Sequence, residues 1–362
     1  MGFVCSHLIK GICQLNTMRG AVLVQVGQPL EIMDLIIPEL SYGQVLVDMH
    51  YSGVCRSQLM EADGLRGYDR WLPHLLGHEG VGEVVQTGPG VSRFVEGDKV
   101  VLGWLKNHGC DVGGSNFKKK DSDLLVNSGP VTTLSTKTIV SENRLISLPR
   151  GIPDELGVLL GCALPTGAGM VLNYPDLTEN MIIAVVGLGG VGMSALLTLI
   201  ALSSFQVVAV DVDDKRLRLA KDLGADLVIN SEKQNVLEQI KFHYDCGVDV
   251  CFEAGGHSDT IELGFDILNE TQGHLVFASH PKSGSKIALD PHELIKGKKI
   301  SGSWGGGSNP EKIAQKLSEL FVLGKLPLER LIEKKYKFNE INEAFYDMRR
   351  GLTLRPLIDF KS

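Results

Sequence analysis

Several features that mark other classes of protein are missing from this sequence. Its seven cysteines form no CxxC pair, and their odd number and wide spacing argue against a disulfide framework. The chain lacks a basic excess, since its formal net charge is −7, and this argues against a nucleic-acid partner. It also lacks a secretory apolar region at its start. We therefore expect a cytoplasmic protein.

An unbroken membrane-spanning run is missing as well. No charged residue occurs between Glu179 and Asp211, and a spanning helix needs about 20 apolar residues. However, four glycines interrupt the first half of this stretch, and β-branched residues cluster at both of its ends. A buried parallel strand with its covering helix has the same hydropathy, so we favour that structure and expect no membrane association.

What this stretch contains is a glycine-rich turn in a specific context. A β-branched segment at 182–186 leads into the sequence GLGGVG at 187–192, an apolar stretch follows, and a second β-branched segment ends on Asp211. The order strand, glycine turn, helix, strand and acid is that of the dinucleotide-binding fingerprint.

The residues of this fingerprint have separate physical roles. Gly187 permits the tight turn, Gly189 lets the backbone approach a pyrophosphate, and Gly192 lets the helix pack close to the strand. Gly190, within the same turn, is a further candidate contact at the helix N-terminus, where free N–H groups favour phosphate. Asp211 can accept hydrogen bonds from both ribose hydroxyls and repels a 2′-phosphate, which favours NAD over NADP.

The length of 362 residues predicts two domains. Short segments with turn residues between them predict an antiparallel, barrel-like β domain first, followed by an irregular segment at 104–137. From about residue 166, strands alternate with helices, which predicts a doubly wound parallel sheet of six strands. A tail with a helix at 341–349 and a strand at 355–360 is expected to rejoin the first domain. Examples of the predicted strands of the first domain are 21–26, 45–51, 80–87 and 99–103. The predicted strands of the second are 182–186, 207–210, 227–229, 248–253, 274–278 and 299–303. The predicted helices between and after them are 192–202, 214–223, 235–243, 258–268, 292–297 and 310–323.

Candidate metal ligands are spread along the chain. Cys55, His78, Glu79 and Cys162 each lie in a glycine-rich or turn-like setting. Thiolates with an imidazole suit zinc, and three protein ligands leave a fourth position open for water or substrate. Scattered cysteines and histidines are more often structural, so spacing alone leaves both interpretations open.

Three motifs make the chain resemble the zinc-dependent alcohol dehydrogenases of the medium-chain dehydrogenase/reductase family. They are GVCRS at 53–57, GHEGVGEVV at 77–85 followed by GDKVV at 97–101, and GCALPTG at 161–167. The resemblance implies a discontinuous GroES-like β-barrel catalytic domain and a six-stranded Rossmann domain, with boundaries that we set at 1–163 plus 308–362, and at 164–307. It implies hydride transfer between NAD and a primary, secondary, polyol or sugar-derived alcohol, or the reverse reaction on a carbonyl compound.

The resemblance also implies roles for single residues. Cys55, His78 and Cys162 would hold one catalytic zinc, with Glu79 beside it as a supporting or transient ligand. Ser57 would relay the proton of the alcohol, and it is also a candidate cap for a helix that starts at about residue 58; the two roles are compatible.

Cofactor contacts follow from the same resemblance. Arg56 and Arg355 would reach the pyrophosphate, and the nicotinamide would lie between Thr166 and Val191. Arg216, one helical turn beyond the acid of the fingerprint, could lie along the adenosine ribose or its phosphate.

The chain departs from the family pattern in three places. Relatives often carry a structural zinc held by four cysteines, but only Cys110 remains here, so we predict no structural zinc. Gln58 occupies a place where an aspartate commonly orients the ligand imidazole, and Met60 occupies the place of a proton-relay histidine. His50 and His74 lie nearby in the sequence, but nothing in it shows that they substitute. The shortened lobe suggests the hypothesis of a site open to larger substrates.

Two alternatives to this function have different signatures. A zinc-free quinone or enoyl reductase would lack the cysteine and histidine ligands and would usually favour NADPH. A non-catalytic nucleotide-binding member would keep the fold without the chemistry. The partners that we expect are a small alcohol or carbonyl substrate and a second copy of the chain, because the segment at 299–307 ends the sheet and offers an exposed edge. A homodimer is favoured, and a tetramer is an alternative.

Overall fold

The computed structural model describes residues 17–307 and 309–362, so Cys5, Cys13 and the first 16 residues of the predicted catalytic domain lie outside the described chain. The chain divides into two compact units. The first runs to Cys162 and resumes with Ile332–Ser362, and the second is Ala163–Leu331. Relative to the predicted boundaries, residues 309–331 belong with the second unit.

The first unit consists mainly of β-strands. Its strands are β1 (Thr17–Leu23), β2 (Glu31–Ile36), β3 (Gln44–Gly53), β4 (His74–Leu75), β5 (Glu79–Thr87), β6 (Lys99–Gly103), β7 (Asn116–Lys119), β8 (Leu125–Asn127), β9 (Lys137–Ser141), β10 (Leu145–Ser147), β17 (Lys334–Lys337) and β18 (Pro356–Asp359). Its helices are α1 (Arg56–Ala62), α2 (Asp154–Gly157) and α10 (Ile341–Arg349).

Two sheets organise this unit. Strands β1, β2, β7, β8 and β4 close into a barrel, and the order β10-β6-β5-β3-β18-β17 forms the second sheet, with β9 also paired to β3. The C-terminal strand β18 pairs antiparallel with β3, so the tail joins the sheet that the first part of the chain forms. The long strand β3 alternates poorly in burial because both of its faces are covered.

The second unit is a parallel sheet with helices between its strands. The strands are β11 (Ile182–Val186), β12 (Gln206–Asp211), β13 (Leu227–Asn230), β14 (Val250–Glu253), β15 (His274–Phe277) and β16 (Lys299–Gly302). The helices are α3 (Ala163–Leu172), α4 (Gly190–Leu202), α5 (Asp214–Leu223), α6 (Val236–His243), α7 (Ser258–Asp266), α8 (Pro291–Lys296) and α9 (Pro310–Val322).

The strand order in this sheet is β13-β12-β11-β14-β15-β16. Strand β11 pairs with β12 on one side and with β14 on the other. The strand order therefore reverses between β11 and β14, and the carboxyl ends of these two strands border that point. Ligands of open parallel sheets bind at this point. The predicted fold class, a barrel-type β unit with a six-stranded doubly wound sheet, is confirmed.

Two differences from the predicted elements have simple causes. Residues 104–137, expected to be irregular, contain β7 and β8, whose three or four residues are too few for a visible alternation, although Phe117 and Val126 are fully buried. Helix α9 belongs with the second unit because it packs on α3, with Ile313 and Leu317 on its buried side.

Within the described residues, no single helix is long and apolar enough to cross a membrane. The bent pair Asp154–Gly161 and Ala163–Leu172 meets the length and composition criteria only when its two parts are taken together.

Candidate functional site

Cys55 lies at the junction of β3 and α1, where it forms the N-cap of the helix. Its backbone N–H donates to Gln58 Oε1 at 2.7 Å. A side chain that accepts from the N-cap N–H closes the first turn of the helix, so this contact fixes the position of Cys55. The helix begins at Arg56, which places Ser57 inside the first turn; the prediction of Ser57 as the cap is wrong.

His78 lies between β4 and β5, directly after Gly77. Gly77 has a φ of +102°, and a Cβ there would approach the backbone nitrogen of Thr133 to 2.7 Å. Only glycine fits this turn, because it supplies positive φ and close backbone contact. The turn therefore sets where the imidazole of His78 points.

Cys162 follows the 3-10 segment Val158–Gly161 in the same unit. A Cβ at Gly161 would lie 2.8 Å from Glu79 Cα, so glycine lets this segment pack directly on β5. The thiol of Cys162 is thereby brought beside the start of β5, and the residue is only 7% exposed.

These three residues, far apart in sequence, come together. The ligand atoms of Cys55, His78 and Cys162 all lie within 4.8 Å of one another, and the two sulfur atoms are 4.0 Å apart. Two sulfurs and one imidazole nitrogen form the donor set that zinc prefers, and a shared cation would bring them closer still. The residues present therefore fit a zinc ion with one position left open.

Proton sharing within the cluster supports this fit. The hydrogen bond from Cys162 holds the pKa of Cys55 well below its usual value, although burial opposes the shift. The same bond and burial raise the pKa of Cys162. Burial acts against the charged form of His78, but the bond to Cys55 prevails and raises its pKa. The cluster already favours a thiolate, the form that binds metal.

Glu79 and Arg355 form a buried ion pair beside this cluster. Arg355 Nη2 donates to Glu79 Oε2, and the two residues are 5% and 0% exposed. Burial raises the pKa of Glu79 to about 7, against the attraction of the guanidinium. The other carboxylate oxygen, Oε1, is buried and has no hydrogen-bond partner among the described residues. An orphaned carboxylate oxygen next to the cluster suits an additional electropositive group there.

Ser57 and Gln58 both reach the His78 ring. Ser57 Oγ lies 3.5 Å from Nε2, and the Gln58 amide nitrogen lies 3.4 Å from Nδ1. The two other histidines noted in the sequence are paired elsewhere: His50 Nδ1 lies 2.7 Å from Asp154 Oδ2, and His74 Nε2 lies 2.7 Å from Asp69 Oδ2.

The glycine turn of the second unit has the expected geometry. Gly187 has a φ of +85°, and a Cβ there would lie 2.5 Å from the Gly255 backbone. A Cβ at Gly192 would overlap the Gly187 carbonyl oxygen, whereas one at Gly189 would meet nothing within 4 Å. Two glycines are thus required by packing, and the third leaves open space above the start of α4, which begins at Gly190. This space suits a pyrophosphate.

The remaining residues predicted to contact the nucleotide lie around this turn, except for the two arginines of the first unit. Asp211, 7% exposed, accepts the Leu188 N–H at 2.6 Å, and Arg216 Nη1 lies 3.8 Å from its carboxylate. Thr166 and Val191 come from α3 and α4, which approach closely through a glycine at 167. Arg56 is exposed in the first unit, and Arg355 is buried against its carboxylate partner there, so their pyrophosphate contacts remain predictions.

A second cluster was not anticipated from the sequence. Ligand atoms of Glu61, Asp69 and His74 also lie within 4.8 Å of one another. The spacing of these residues matches no motif. Only the structure shows that the turn between α1 and β4 brings them together. Cys110 belongs to neither of the two clusters found among the described residues, and its N–H donates to Glu142 Oε2 at 2.7 Å.

Comparisons with known proteins agree with this geometry. Residues 41–150 match the family described as alcohol dehydrogenase GroES-like domain, and residues 190–322 match the family described as zinc-binding dehydrogenase. Benzyl alcohol dehydrogenase from Acinetobacter calcoaceticus is 33% identical with a TM-score of 0.84, covering 95% of this chain and 99% of that one. An alcohol dehydrogenase zinc-binding domain protein from Burkholderia ambifaria is 29% identical with a TM-score of 0.88, covering 96% and 99%.

Proposed function

Because the chain belongs to the medium-chain dehydrogenase/reductase family, among its zinc-binding alcohol dehydrogenases, we propose that it transfers hydride between an alcohol and NAD, using one zinc ion. The observation that carries this proposal is the convergence of Cys55, His78 and Cys162 within 4.8 Å. Bound zinc would supply Lewis acidity that favours the alkoxide form of the substrate, and NAD would accept the hydride.

The residues of the chain have distinct tasks in this proposal. The thiolates of Cys55 and Cys162 and the imidazole of His78 would hold the metal and leave one position for the substrate oxygen. Ser57, beside the His78 ring, offers a hydroxyl that can accept the alcohol proton and donate its own in the same step. Met60 cannot carry a proton. The path of the proton from Ser57 to solvent therefore differs from the path in relatives that have a histidine at this position.

Glu79 and Arg355 balance charge around the site. A carboxylate buried beside two thiolates would raise the local negative charge, and the guanidinium of Arg355 offsets it at close range. Only one oxygen of Glu79 accepts from Arg355, so the other carries its share of the negative charge without a hydrogen bond from the described residues.

The preference for NAD rests on Asp211. Its carboxylate lies at the end of β12, tied to the glycine turn through the Leu188 N–H. A fixed negative charge there accepts from ribose hydroxyls and repels a 2′-phosphate. The complete set of zinc ligands argues against a zinc-free quinone or enoyl reductase. The presence of residues for both a metal and a nucleotide argues against a non-catalytic role.

An NAD-coupled screen of alcohols and polyols on the zinc-loaded chain tests the function. We expect reduction of NAD with at least one substrate and a clear preference over NADP. Asp211→Asn removes charge but keeps an oxygen for Leu188, so it should lower the NAD:NADP ratio of kcat/KM by about tenfold. Asp222→Asn, at an exposed position of α5, is the matched control and should change nothing. Reduction of quinones without zinc, or no turnover of any alcohol, would contradict the proposal.

A further inference from the structure

The first unit contains a cavity that reaches His78, one of the three candidate metal ligands. Its volume is about 610 Å³, within the range of pockets that bind small molecules. His78 lies at this wall, together with the strand β4 and Glu61 of α1. If His78 holds the metal, the cavity is where the body of the substrate lies, so the properties of its wall select the substrate.

The wall carries negative charge that is not balanced. His74 is 6% exposed, and its two ring nitrogens face the Leu75 carbonyl oxygen and Asp69 Oδ2. Asp69 Oδ1 accepts the Trp71 N–H at 2.9 Å, so both oxygens of Asp69 already have donors. Whether His74 is charged or neutral, the pair that it forms with Asp69 has no net positive charge.

Glu61 has no such partner. Its carboxylate makes no hydrogen bond or ion pair with any residue in the described part of the chain, and it lines the cavity. No lysine or arginine is among the described residues that line this wall. The guanidinium of Arg70, which follows Asp69, stacks on the Trp71 ring at 4.7 Å from its centroid. Asn127 donates its amide N–H to the Trp71 carbonyl oxygen, which leaves its own oxygen as an acceptor.

We propose that this cavity selects alcohols that carry a protonated amine, with the ammonium group held by the carboxylate of Glu61. The inference rests on the proposed function and adds the class of its substrate. An ammonium offers three donors, and the wall offers acceptors. Glu61 lies six residues beyond Cys55, the N-cap of α1, which is a rise of about 9 Å along the helix, so hydroxyl and amine would lie at opposite ends of the substrate.

A divalent cation at Glu61, Asp69 and His74 is the competing occupant, because their ligand atoms lie within 4.8 Å. To use His74 as a ligand it would have to break the hydrogen bond of one ring nitrogen, either to Asp69 or to the Leu75 carbonyl oxygen. An ammonium needs only the unpaired carboxylate of Glu61, and this favours the amine.

Two isosteric probes test the proposal: 4-(aminomethyl)benzyl alcohol, which is cationic at neutral pH, and 4-ethylbenzyl alcohol, which is neutral. With the zinc-loaded protein and NAD we expect kcat/KM to favour the amine by about tenfold or more, since hydrogen bonds between charged groups are the stronger class. Glu61→Gln should abolish most of this preference while leaving kcat/KM for the ethyl compound within about twofold. Glu83→Gln, at an exposed position of β5, is the matched control and should behave as wild type.

Calorimetric binding of both probes and zinc content complete the test. Equal kcat/KM and equal affinity for the two probes in wild type, or a preference unchanged in Glu61→Gln, would overturn the proposal while leaving alcohol oxidation intact. If neither probe is oxidised and the alcohol screen also gives no turnover, the proposed function fails, and the calorimetric preference still decides the cation site. A second zinc equivalent that Glu61→Gln removes would assign this carboxylate to a metal and also overturn the proposal.

Discussion

At the scale of single residues, the support of the His78 ring depends on Gln58. Gln58 Oε1 accepts the Cys55 N–H, and this orients its amide nitrogen toward His78 Nδ1 at 3.4 Å. A metal-binding imidazole usually donates its second N–H to an acceptor, whereas an amide nitrogen is itself a donor. The ring is therefore less well supported than it would be beside a carboxylate.

Gln58→Glu should tighten zinc binding by about tenfold, the lower end of what outer ligand contacts contribute. One carboxylate oxygen can keep the bond from the Cys55 N–H while the other accepts the Nδ1–H of His78. Competition with a chromophoric chelator measures the affinity. Gln86→Glu, exposed on β5, is the matched control, and unchanged or weaker zinc binding in a folded Gln58→Glu protein would refute the argument.

At the scale of elements, one carboxylate organises the region where relatives often carry four cysteines. Glu142, which directly follows β9 and is fully buried, accepts the N–H groups of Ser92 and Arg93 on Oε1 and that of Cys110 on Oε2. Three chain segments thus meet at one side chain. Burial favours the neutral acid, but the three backbone donors outweigh it and lower the pKa of Glu142.

Glu142→Gln should reduce the free energy of unfolding by about 1–3 kcal/mol, because the new amide group faces a backbone donor. A lowered carboxyl pKa stabilises the fold above the unfolded value of 4.5, and this contribution is lost as pH falls through the folded value. Urea denaturation at several pH values measures both effects. The deficit of the variant should be full near pH 7 and shrink below about pH 4.5. Glu96→Gln, exposed and nearby, should match wild type; a Glu142→Gln deficit independent of pH would contradict the account.

How well elements could be predicted depended on their length and burial. The six strands of the parallel sheet were visible because buried β-branched runs such as β11 and β12 alternate with helical segments, of which α5 has distinct polar and apolar faces. Strands β7 and β8 were missed because a few residues that close a barrel carry no detectable period. The helix α3 was also missed, since it is apolar on all sides and buried.

The parts of the candidate site that follow from local sequence patterns could be predicted, and the part that depends on folding could not. The glycine turn and the ligand motifs are local patterns whose chemistry can be read from residue type, and the structure brings Cys55, His78 and Cys162 together. The cluster of Glu61, Asp69 and His74 could not be predicted, because it depends on how the turn before β4 folds rather than on any spacing.

At the scale of the whole molecule, β16 is the outer strand of the parallel sheet, and we propose that it pairs with a second copy of the chain. The N–H groups of Lys299 and Ser303 donate to the carbonyl oxygens of Gly273 and Phe277. Because the N–H groups of a strand alternate in direction, the N–H of Gly302 points away from β15. An exposed strand edge is a pairing surface. A Cβ at Gly302 would meet only the ring of Phe277, at 3.7 Å, so substitution is tolerated there.

Light scattering coupled to gel filtration should give the mass of a dimer for wild type, with a tetramer as the alternative. Gly302→Pro removes the outward N–H and should shift the protein toward monomer. Gly113→Pro, at an exposed position without positive φ and with nothing near its Cβ, controls for the effect of the proline itself. A monomeric wild type, or a Gly302→Pro protein that remains fully dimeric, would refute pairing through this edge.

The measurement that tests the central claim most directly is zinc content alongside NAD reduction, in wild type, Cys162→Ser and Cys246→Ser. Cys246 is exposed and distant in sequence from the cluster, so it controls for loss of a thiol. We predict one zinc per chain and alcohol-dependent NAD reduction in wild type and in Cys246→Ser, and loss of both in Cys162→Ser. Full zinc retention with undiminished activity in Cys162→Ser would contradict the assignment of the metal to Cys55, His78 and Cys162.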